Sequence, residues 1–251
     1  MRHNRGRNTR ARVGPALPAE WSVFSLVLPT YNEADNIARA VAAVCRVLDG
    51  RDYEIIVADD DSPDRTWEVA ERLGDPRVRV LRRTENPGLS AAVVDAFGIA
   101  KGNLLGVMDA DMQHDESILP QMIDALDTHE FVVGSRAVPG GGYGDWSAHR
   151  RFTSWVAAAM ARTILRVRIA DPMTGYFVLR REVFERAKPR LSPKGFKIML
   201  ELLCLARPEP FTEIGFTFRT RAAGESKLST RVMGQYIKSL FELRRKMRKP
   251  R

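Results

Sequence analysis

The sequence predicts an α/β domain whose central sheet is mostly parallel and carries helices on both faces. Short apolar runs alternate with helical patterns along most of the chain, and repeated strand–helix units build sheets of this kind. The chain has 251 residues, of which 44% are hydrophobic, so it can form one large core. The glycine-rich fingerprint of dinucleotide-binding folds is absent, which argues against a nicotinamide cofactor.

Five strand–helix units are predicted in order along the chain. Apolar runs predict strands over residues 24–28, 53–57, 78–81, 104–108 and 131–133. The first helix should present one apolar face, made of Ile37, Val41, Val44 and Leu48. Further helices are predicted from Thr66, over residues 90–100 and from Glu116.

Two longer amphipathic helices are predicted after a glycine-rich loop at residues 139–144. The apolar stripe of the first consists of Trp155, Val156, Ala159, Met160, Ile164 and Val167. The second runs over residues 231–247, with a stripe of Val232, Tyr236, Ile237, Leu240 and Phe241. Such a stripe either faces the protein core or lies on a membrane surface, and the sequence leaves both interpretations open.

The positive charge is concentrated at the two ends of the chain. The net charge is +9, yet residues 1–12 hold five arginines and residues 244–251 hold six bases, with no acid in either segment. The intervening chain is therefore nearly neutral. Basic ends suit an anionic lipid leaflet or a nucleic acid, and the alternative is a solvated tail. We therefore predict a disordered basic tail over residues 1–20, a catalytic domain over 21–230 and a basic amphipathic helix over 231–251.

The sequence also predicts where the protein works. No apolar window reaches the roughly 20 residues of a membrane span, and no apolar leader follows the N-terminus. The two cysteines, Cys45 and Cys204, are isolated, as expected in a reducing cytoplasm. Together with the basic ends, these features predict a peripheral protein on the cytoplasmic side of a membrane, without a transmembrane segment.

Polar clusters follow four of the predicted strands, at residues 29–33, 59–64, 109–113 and 134–136. In a parallel sheet these clusters converge on one edge, where open α/β sheets bind ligands. In the third cluster, Asp109, Asp111 and the amide oxygen of Gln113 can hold a hard divalent cation such as Mg²⁺ or Mn²⁺. The alternative is an ordinary polar loop in which Asp111 or Asp115 caps the next helix.

An ordered series of short motifs resembles the family 2 glycosyltransferases of the nucleotide-diphosphosugar (GT-A) fold, and among them the polyprenyl-phosphate (dolichyl-phosphate) mannose synthases. The resemblance extends over about residues 23–240. It is carried by Pro29-Thr30-Tyr31-Asn32-Glu33, Asp59-Asp60-Asp61-Ser62-Pro63-Asp64-Arg65-Thr66, Asp109-Ala110-Asp111-Met112-Gln113-His114, Gly134-Ser135-Arg136, Asp171-Pro172-Met173-Thr174-Gly175-Tyr176-Phe177, Gly195-Phe196-Lys197 and Gly224-Glu225-Ser226-Lys227.

The resemblance implies an inverting enzyme that moves mannose from GDP-mannose to a polyprenyl phosphate. It implies a metal site of Asp109, Asp111 and Gln113, and catalytic roles for Asp111, Arg136 and Lys227. The implied donor contacts are Pro29, Tyr31, Glu33, Ala58, Asp60, Asp109, Ala110, Arg136 and Lys227. The implied ligands of the acceptor phosphate are Arg136, Arg150, Ser154 and Arg221. His114 is interpreted as a residue behind the metal site or on the acceptor side.

Three other functions compete with this interpretation. The nearest keeps the fold and transfers glucose or another sugar, from a UDP- or other nucleotide sugar, to undecaprenyl phosphate. A nucleic-acid-binding protein would use the basic ends, but no nucleic-acid-binding motif is present and the acidic loops would repel phosphates, so we expect no nucleic-acid partner. A catalytically silent membrane scaffold is disfavoured by the intact set of carboxylates.

Overall fold

The computed structural model describes residues 23–192, 197–219 and 230–248, with side chains from residue 234 in the last segment. A sheet of seven strands forms its centre, in the order β3-β2-β1-β4-β6-β5-β7. The strands are β1 Phe24–Thr30, β2 Tyr53–Asp59, β3 Val78–Arg82, β4 Leu104–Val107, β5 Phe131–Ser135, β6 Phe177–Arg180 and β7 Phe211–Gly215. The five strands predicted from apolar runs all occur, within two residues of the predicted ends.

Among the described residues, eight α-helices accompany the sheet. They are α1 Ala34–Val47, α2 Thr66–Glu71, α3 Leu89–Ile99, α4 Leu119–Ala125, α5 Ala148–Leu165, α6 Arg181–Ala187, α7 Ile198–Ala206 and α8 Thr230–Arg248. Short 3₁₀ turns precede α4 at Glu116–Ile118 and follow α6 at Lys188–Arg190. The first of these turns is capped by the Asp115 carboxylate, which accepts a hydrogen bond from the Ser117 amide at 3.1 Å.

The sheet is parallel except for β6. β1 pairs in parallel with β2 and β4, and β3 pairs in parallel with β2. β6 is antiparallel to both β4 and β5, so β4 and β5 point in the same direction although they do not touch. The carboxyl ends of β1, β2, β4 and β5 therefore meet at one edge of the sheet. The loop before β6, which holds Asp171, reaches the same edge because that strand is reversed.

Helices cover both faces of the sheet, as predicted. One buried cluster joins the sheet to α3, α5, α6, α7 and α8, and the other joins it to α1, α2 and α4. The predicted face of α1 is buried at Ile37, Val41 and Val44. Helix α7 is buried along its whole length. The mostly parallel α/β architecture predicted from the sequence is therefore confirmed.

Helices α5 and α8 pack side by side. The Tyr236 hydroxyl donates to the Ala157 carbonyl at 3.1 Å, and the Arg244 guanidinium donates to the Leu165 carbonyl at the same distance. Each contact joins residues 79 apart along the chain. The later residue of α5 therefore pairs with the later residue of α8, so the two helices run in the same direction. Small alanine side chains on α5 allow this close approach.

The predicted apolar stripe of α5 is divided between the core and the surface. The fully buried residues of the helix are Ala157, Ala158, Ala161 and Leu165, and the stripe residues Met160, Ile164 and Val167 are partly buried against the same core. Trp155, also in the predicted stripe, is 59% exposed and stacks with exposed Phe152 at 6.1 Å between ring centroids. Val167 lies beyond the helix, which ends at Leu165. The stripe of α8 is partly right, since Tyr236 and Leu240 are buried whereas Phe241 is exposed.

Two further predictions concern membrane-spanning segments and the N-terminal tail. Within the described ranges, no helix is both long and apolar enough to cross a membrane. The basic tail predicted over residues 1–20 lies outside the described residues.

Candidate active site

The four polar clusters predicted from the sequence all lie at the carboxyl edge of the sheet. Pro29 lies near the end of β1, the exposed Tyr31 follows that strand, and Asp59 ends β2. The predicted metal-binding motif follows β4, and Arg136 follows β5. Because these four strands share one direction, the clusters face a common crevice.

Asp59 ties the first two clusters together. Its carboxylate is fully buried and accepts hydrogen bonds from the Thr30 hydroxyl at 2.8 Å and the Ser62 hydroxyl at 2.7 Å. The Glu33 backbone amide donates to the Thr66 hydroxyl at 2.9 Å, which links the start of α1 to the start of α2. These contacts fix the loops after β1 and β2, from which the predicted nucleoside contacts Tyr31, Glu33 and Asp60 project.

Asp60 belongs to a hydrogen-bond network that the sequence did not reveal. Its carboxylate pairs with the nearly buried Arg83 guanidinium and accepts a hydrogen bond from the Gly88 amide at 2.7 Å. Arg83 also binds the Asp95 carboxylate at 2.9 Å and the Asn86 carbonyl at 2.9 Å. The network holds Asp60 against the loop that leads into α3. Its predicted contact with base or ribose stays a prediction.

The predicted metal ligands are neighbours at the end of β4. Asp111 Oδ1 accepts a hydrogen bond from the Gln113 backbone amide at 3.1 Å. The Gln113 side-chain nitrogen donates to the Arg219 carbonyl at 3.2 Å, which leaves its side-chain oxygen to serve as a ligand. Two carboxylates and an amide oxygen are the donor set that Mg²⁺ and Mn²⁺ prefer, so the residues present fit such an ion.

His114 is buried next to Asp109, the first residue of the predicted metal-binding motif. The imidazole is buried, stacks on the Tyr176 ring at 5.0 Å and contacts the edges of two phenylalanines. Burial lowers the pKa of His114 to about 4, so the ring is neutral at neutral pH. Its Nδ1 atom accepts a hydrogen bond from the Asp109 backbone amide at 3.1 Å, and Nε2 lies 3.9 Å from the Asp109 carboxylate. His114 therefore holds the backbone of Asp109 in place, and its predicted role behind the metal site or on the acceptor side stays a prediction.

Arg136 forms a bidentate ion pair with Asp171. Its Nε and Nη2 atoms donate to the two Asp171 oxygens at 2.7 and 2.9 Å, and its backbone amide adds a third bond at 3.0 Å. Both side chains are at most 5% exposed. The hydrogen bonds from Arg136 outweigh the effect of burial and keep the pKa of Asp171 below its ordinary value. The structure thus uses the Arg136 charge to hold Asp171, a partner that sequence analysis missed.

The loop that Asp171 anchors forms one wall of the predicted metal site. The Glu213 carboxylate accepts hydrogen bonds from the Ala170 amide at 2.6 Å and the Asp171 amide at 3.1 Å. A Cβ atom added to Gly175 would come within 3.5 Å of the Asp109 carboxylate. The wall therefore stands directly against this predicted ligand, and its position depends on the pair of Arg136 and Asp171.

Lys197 is a second site residue to which sequence analysis gave no role. It lines a cavity of about 150 Å³ together with Asp109, Leu89 and Gly175. Its ammonium group lies 3.5 Å from the Met173 carbonyl oxygen. Burial, with a contribution from the nearby Arg136, lowers the pKa of Lys197 to about 8. The available signal was the motif Gly195-Phe196-Lys197 directly before the mostly apolar helix α7.

The predicted acceptor residues lie at the start of α5. Ser147 caps this helix by accepting a hydrogen bond from the Arg150 amide at 3.3 Å, and Ser154 follows one turn after Arg150. The Arg150 guanidinium carbon lies 3.7 Å from the centroid of the Trp146 ring. Arg136 lies over the same ring at 5.1 Å. The structure thus brings Arg136 and Arg150 together through an indole. Two further predicted residues, Arg221 and Lys227, lie outside the described residues.

A comparison with models of protein families shows to which family the chain belongs. The model of glycosyl transferase family 2 matches residues 25–187, which contain β1 to β6 and the predicted metal motif. The chain belongs to this family. It is therefore a glycosyltransferase, and the GT-A fold expected from the sequence motifs is confirmed.

Relatives within family 2 narrow the comparison. The chain is 41% identical over 223 residues to a dolichol-phosphate mannosyltransferase of Pyrococcus furiosus, covering 87% of this chain but only 63% of that relative. It is 40% identical to the Saccharomyces cerevisiae dolichol-phosphate mannosyltransferase, covering 88% of this chain and 86% of the relative. An undecaprenyl-phosphate mannosyltransferase of Micrococcus luteus is 31% identical, with 84% of this chain and 89% of the relative covered. The predicted resemblance to polyprenyl-phosphate mannose synthases is confirmed.

Solved structures share the fold of this family 2 chain at lower sequence identity. One is glucosyl-3-phosphoglycerate synthase from Mycobacterium tuberculosis in complex with Mn²⁺, UDP-glucose and phosphoglyceric acid. It superposes with a TM-score of 0.69 at 18% identity and covers 92% of this chain and 81% of that one. At this identity the match establishes the common architecture only.

Proposed function

We propose that the chain transfers mannose from GDP-mannose to a polyprenyl phosphate and inverts the anomeric configuration. The observation that carries the proposal is the meeting of Asp109, Asp111 and Gln113 with the loops after β1 and β2 at one sheet edge. The names of the relatives supply the substrate class, since they describe mannosyl transfer to dolichol phosphate and undecaprenyl phosphate.

The donor nucleotide binds along the ends of β1 and β2 in this proposal. Pro29 and Ala58 supply close backbone approaches, Tyr31 flanks the base, and Glu33 and Asp60 accept hydrogen bonds from base and ribose. The network of Asp60 with Arg83 and the Gly88 amide supports the last role, because it fixes the carboxylate before the nucleotide arrives.

Asp109, Asp111 and the side-chain oxygen of Gln113 would hold Mg²⁺ or Mn²⁺ against the donor diphosphate, close to the backbone of Ala110. When bound, the ion offsets the negative charge that grows on the leaving diphosphate. His114 keeps Asp109 oriented through the hydrogen bond to its amide. The ammonium group of Lys197 faces the same cavity as Asp109, and we assign it a second contact with the diphosphate.

The acceptor supplies its own nucleophile. A phosphate monoester is ionised at neutral pH, so one of its oxygens attacks the anomeric carbon while the bond from that carbon to the GDP oxygen breaks. GDP departs with the electron pair, and attack from the opposite face inverts the configuration. No protein base is needed, and the chain contributes cations that bring two anions together. Arg150 and Ser154 hold the acceptor phosphate, with Arg136, Arg221 and Lys227 as further predicted contacts.

The surface beside the acceptor site fits docking to a lipid surface. Phe152 and Trp155 are exposed, stack on each other and follow Arg150 within two turns of α5. Exposed aromatic side chains next to basic ones are typical of helices that lie in the membrane interface. We therefore propose peripheral binding to the cytoplasmic leaflet, with the basic ends of the chain adding electrostatic attraction.

Purified protein with radiolabelled GDP-mannose, a polyprenyl phosphate in detergent and Mg²⁺ or Mn²⁺ tests the proposal. Label should move into the lipid fraction as an acid-labile phosphodiester, and only when a divalent ion is present. Parallel reactions contain UDP-glucose or another labelled nucleotide sugar. Efficient transfer from one of these, with none from GDP-mannose, would contradict the mannose assignment and favour the alternative sugar.

A further inference from the structure

The indole of Trp146 lies against both arginines that are predicted to bind the acceptor phosphate. The guanidinium carbon of Arg150 is 3.7 Å from the ring centroid, the shortest cation–π distance among the residues that the structure describes. The guanidinium carbon of Arg136 is 5.1 Å from the same centroid. The π face of tryptophan attracts a cation more strongly than the face of tyrosine or phenylalanine does. One ring thus contacts both guanidinium groups.

The indole itself is fixed by the segment that follows β7. The Phe218 and Trp146 rings meet edge to face, with 5.4 Å between their centroids. The Tyr143 ring, in the same loop as Trp146, has its centroid 5.5 Å from that of the indole. Gly142 ties this loop down, because its amide donates to the Phe216 carbonyl at 3.1 Å and its carbonyl accepts from the Phe218 amide at 2.9 Å. Trp146 therefore serves as an anchored platform, not a freely rotating surface residue.

The two arginines depend on this platform to different degrees. Arg136 is held by three hydrogen bonds to Asp171, and these do not involve the indole. Arg150 starts from the first turn of α5, and its long side chain folds back by four residues onto Trp146. Fixing such a side chain costs rotamer entropy. Contact with an anchored ring contributes to that order before the acceptor binds.

We propose that Trp146 is a positioning residue, which orients the Arg150 guanidinium for the acceptor phosphate. The inference rests on the proposed function, because it requires a phosphate monoester as acceptor. A guanidinium held in one orientation presents its planar pair of donors to two phosphate oxygens, and pre-ordering lowers the entropic cost of binding. Trp146 thus acts on the affinity for the acceptor and has no part in binding the nucleotide.

Steady-state kinetics of Trp146→Leu with a short-chain, water-soluble polyprenyl phosphate test the inference without interference from lipid partitioning. The KM for the acceptor should rise about tenfold, the size of one desolvated cation–π contact. The KM for GDP-mannose should stay within about twofold. Trp146→Phe keeps an aromatic face and should recover most of the acceptor affinity. The matched control, Trp67→Leu, removes an indole from Arg82 at 4.0 Å on helix α2 and should leave the acceptor KM unchanged.

A double-mutant cycle separates positioning from general damage. In an Arg150→Ala background, Trp146→Leu should raise the acceptor KM no further, because the side chain to be oriented is gone. The inference is overturned if the acceptor KM of Trp146→Leu is unchanged, if both KM values rise together, or if the effect persists in the Arg150→Ala background. A wild-type chain that transfers no mannose would instead defeat the proposed function, and the inference with it.

Discussion

The Arg136 guanidinium and the Asp171 carboxylate form a bidentate ion pair that is almost completely removed from solvent. The pair joins the end of β5 to the loop before β6, and this loop stands beside Asp109. A positive charge that sequence motifs assign to substrate is therefore already neutralised by a residue of the protein. The primary structural effect of the pair is to fix one wall of the predicted metal site.

Replacing Asp171 with asparagine should strongly destabilise the fold. The change leaves the Arg136 charge buried without its counter-ion, and breaking such a pair from one side costs about 3–5 kcal/mol. Urea unfolding at pH 7 measures the loss. The double variant Arg136→Met/Asp171→Leu removes both charges and should be more stable than Asp171→Asn alone. If the single variant were as stable as the wild type, the pair would not be a structural element.

The stability that Asp171 contributes should depend on pH. Because its pKa is held below the ordinary value in the folded state, the unfolded state binds its proton first as the pH falls. The contribution is complete above the unfolded pKa of about 3.9 and is lost as the pH falls through the folded pKa. Unfolding free energies of wild type and Asp171→Asn, measured from pH 3 to 7, should differ by a constant amount above about pH 5 and converge below about pH 4. A difference independent of pH would contradict this assignment.

Replacing Asp111 with asparagine should abolish mannosyl transfer, with a loss of at least about a hundredfold in kcat/KM. The substitution keeps the shape of the side chain and removes the charge that would bind the ion. Titration of Mn²⁺ in the presence of GDP, followed by electron paramagnetic resonance, reports on the metal independently of turnover. Asp124→Asn, which alters an exposed surface ion pair with Arg51, is the matched control and should bind Mn²⁺ normally. Full activity of the Asp111 variant would rule out the metal role.

Replacing Lys197 with methionine should stabilise the protein and weaken donor binding. The pKa of about 8 means that the folded state holds this proton less tightly than the unfolded state does. The charged form therefore costs stability below about pH 8, and this cost disappears as the pH rises towards the unfolded value near 10.4. We expect about 1–3 kcal/mol of extra stability for Lys197→Met at pH 7, together with a KM for GDP-mannose raised about tenfold.

Thermal unfolding and initial-rate kinetics measure the two effects of Lys197→Met. A variant that loses stability at pH 7 would show that the ammonium group is well compensated in the folded state. A variant with an unchanged KM for GDP-mannose would remove Lys197 from the donor site.

The double variant Phe152→Ser/Trp155→Ser should weaken binding to lipid vesicles. Burying each aromatic ring in the interface contributes about 1.5–3 kcal/mol, so the partition coefficient should fall at least about tenfold. Sedimentation with anionic phospholipid vesicles measures the change, and turnover of a water-soluble acceptor should be retained. The control is Ile99→Ser, a partly exposed apolar residue at the end of α3. Equal vesicle binding by the double variant and the wild type would exclude α5 as the docking surface.

The sequence predicted most of the fold because the first five strands are apolar runs that end in polar clusters. Convergence of those clusters followed from parallel pairing alone. Strands β6 and β7 were not predicted. Strand β6 begins at Phe177, the last residue of a motif that carries no strand pattern. The buried face of α5 was predicted only in part because alanines pack against α8 more closely than the larger apolar residues do, and hydropathy does not measure size.

The candidate site was less predictable than the fold. Single-residue chemistry indicated Asp109, Asp111 and Gln113, since those residue types are metal ligands at that spacing. The partner of Arg136 lies 35 residues away, and nothing in the local sequence marks an arginine as already paired. The role of Lys197 likewise depends on a cavity between α7 and the sheet, which exists only after the chain has folded.

The antiparallel strand β6 connects the loop that holds Asp171, which is one wall of the candidate site, to the opposite edge of the sheet. Its four residues pair with β4 on one side and β5 on the other. Immediately after it, the Arg181 side chain binds the carbonyl oxygens of Ala100 and Gly102 beyond the opposite edge of the sheet. A displacement of the wall would have to break two ladders and these bonds at once. We therefore expect this wall to behave as a fixed reference surface during turnover, and the movements that admit and release substrates to occur on the other sides of the crevice.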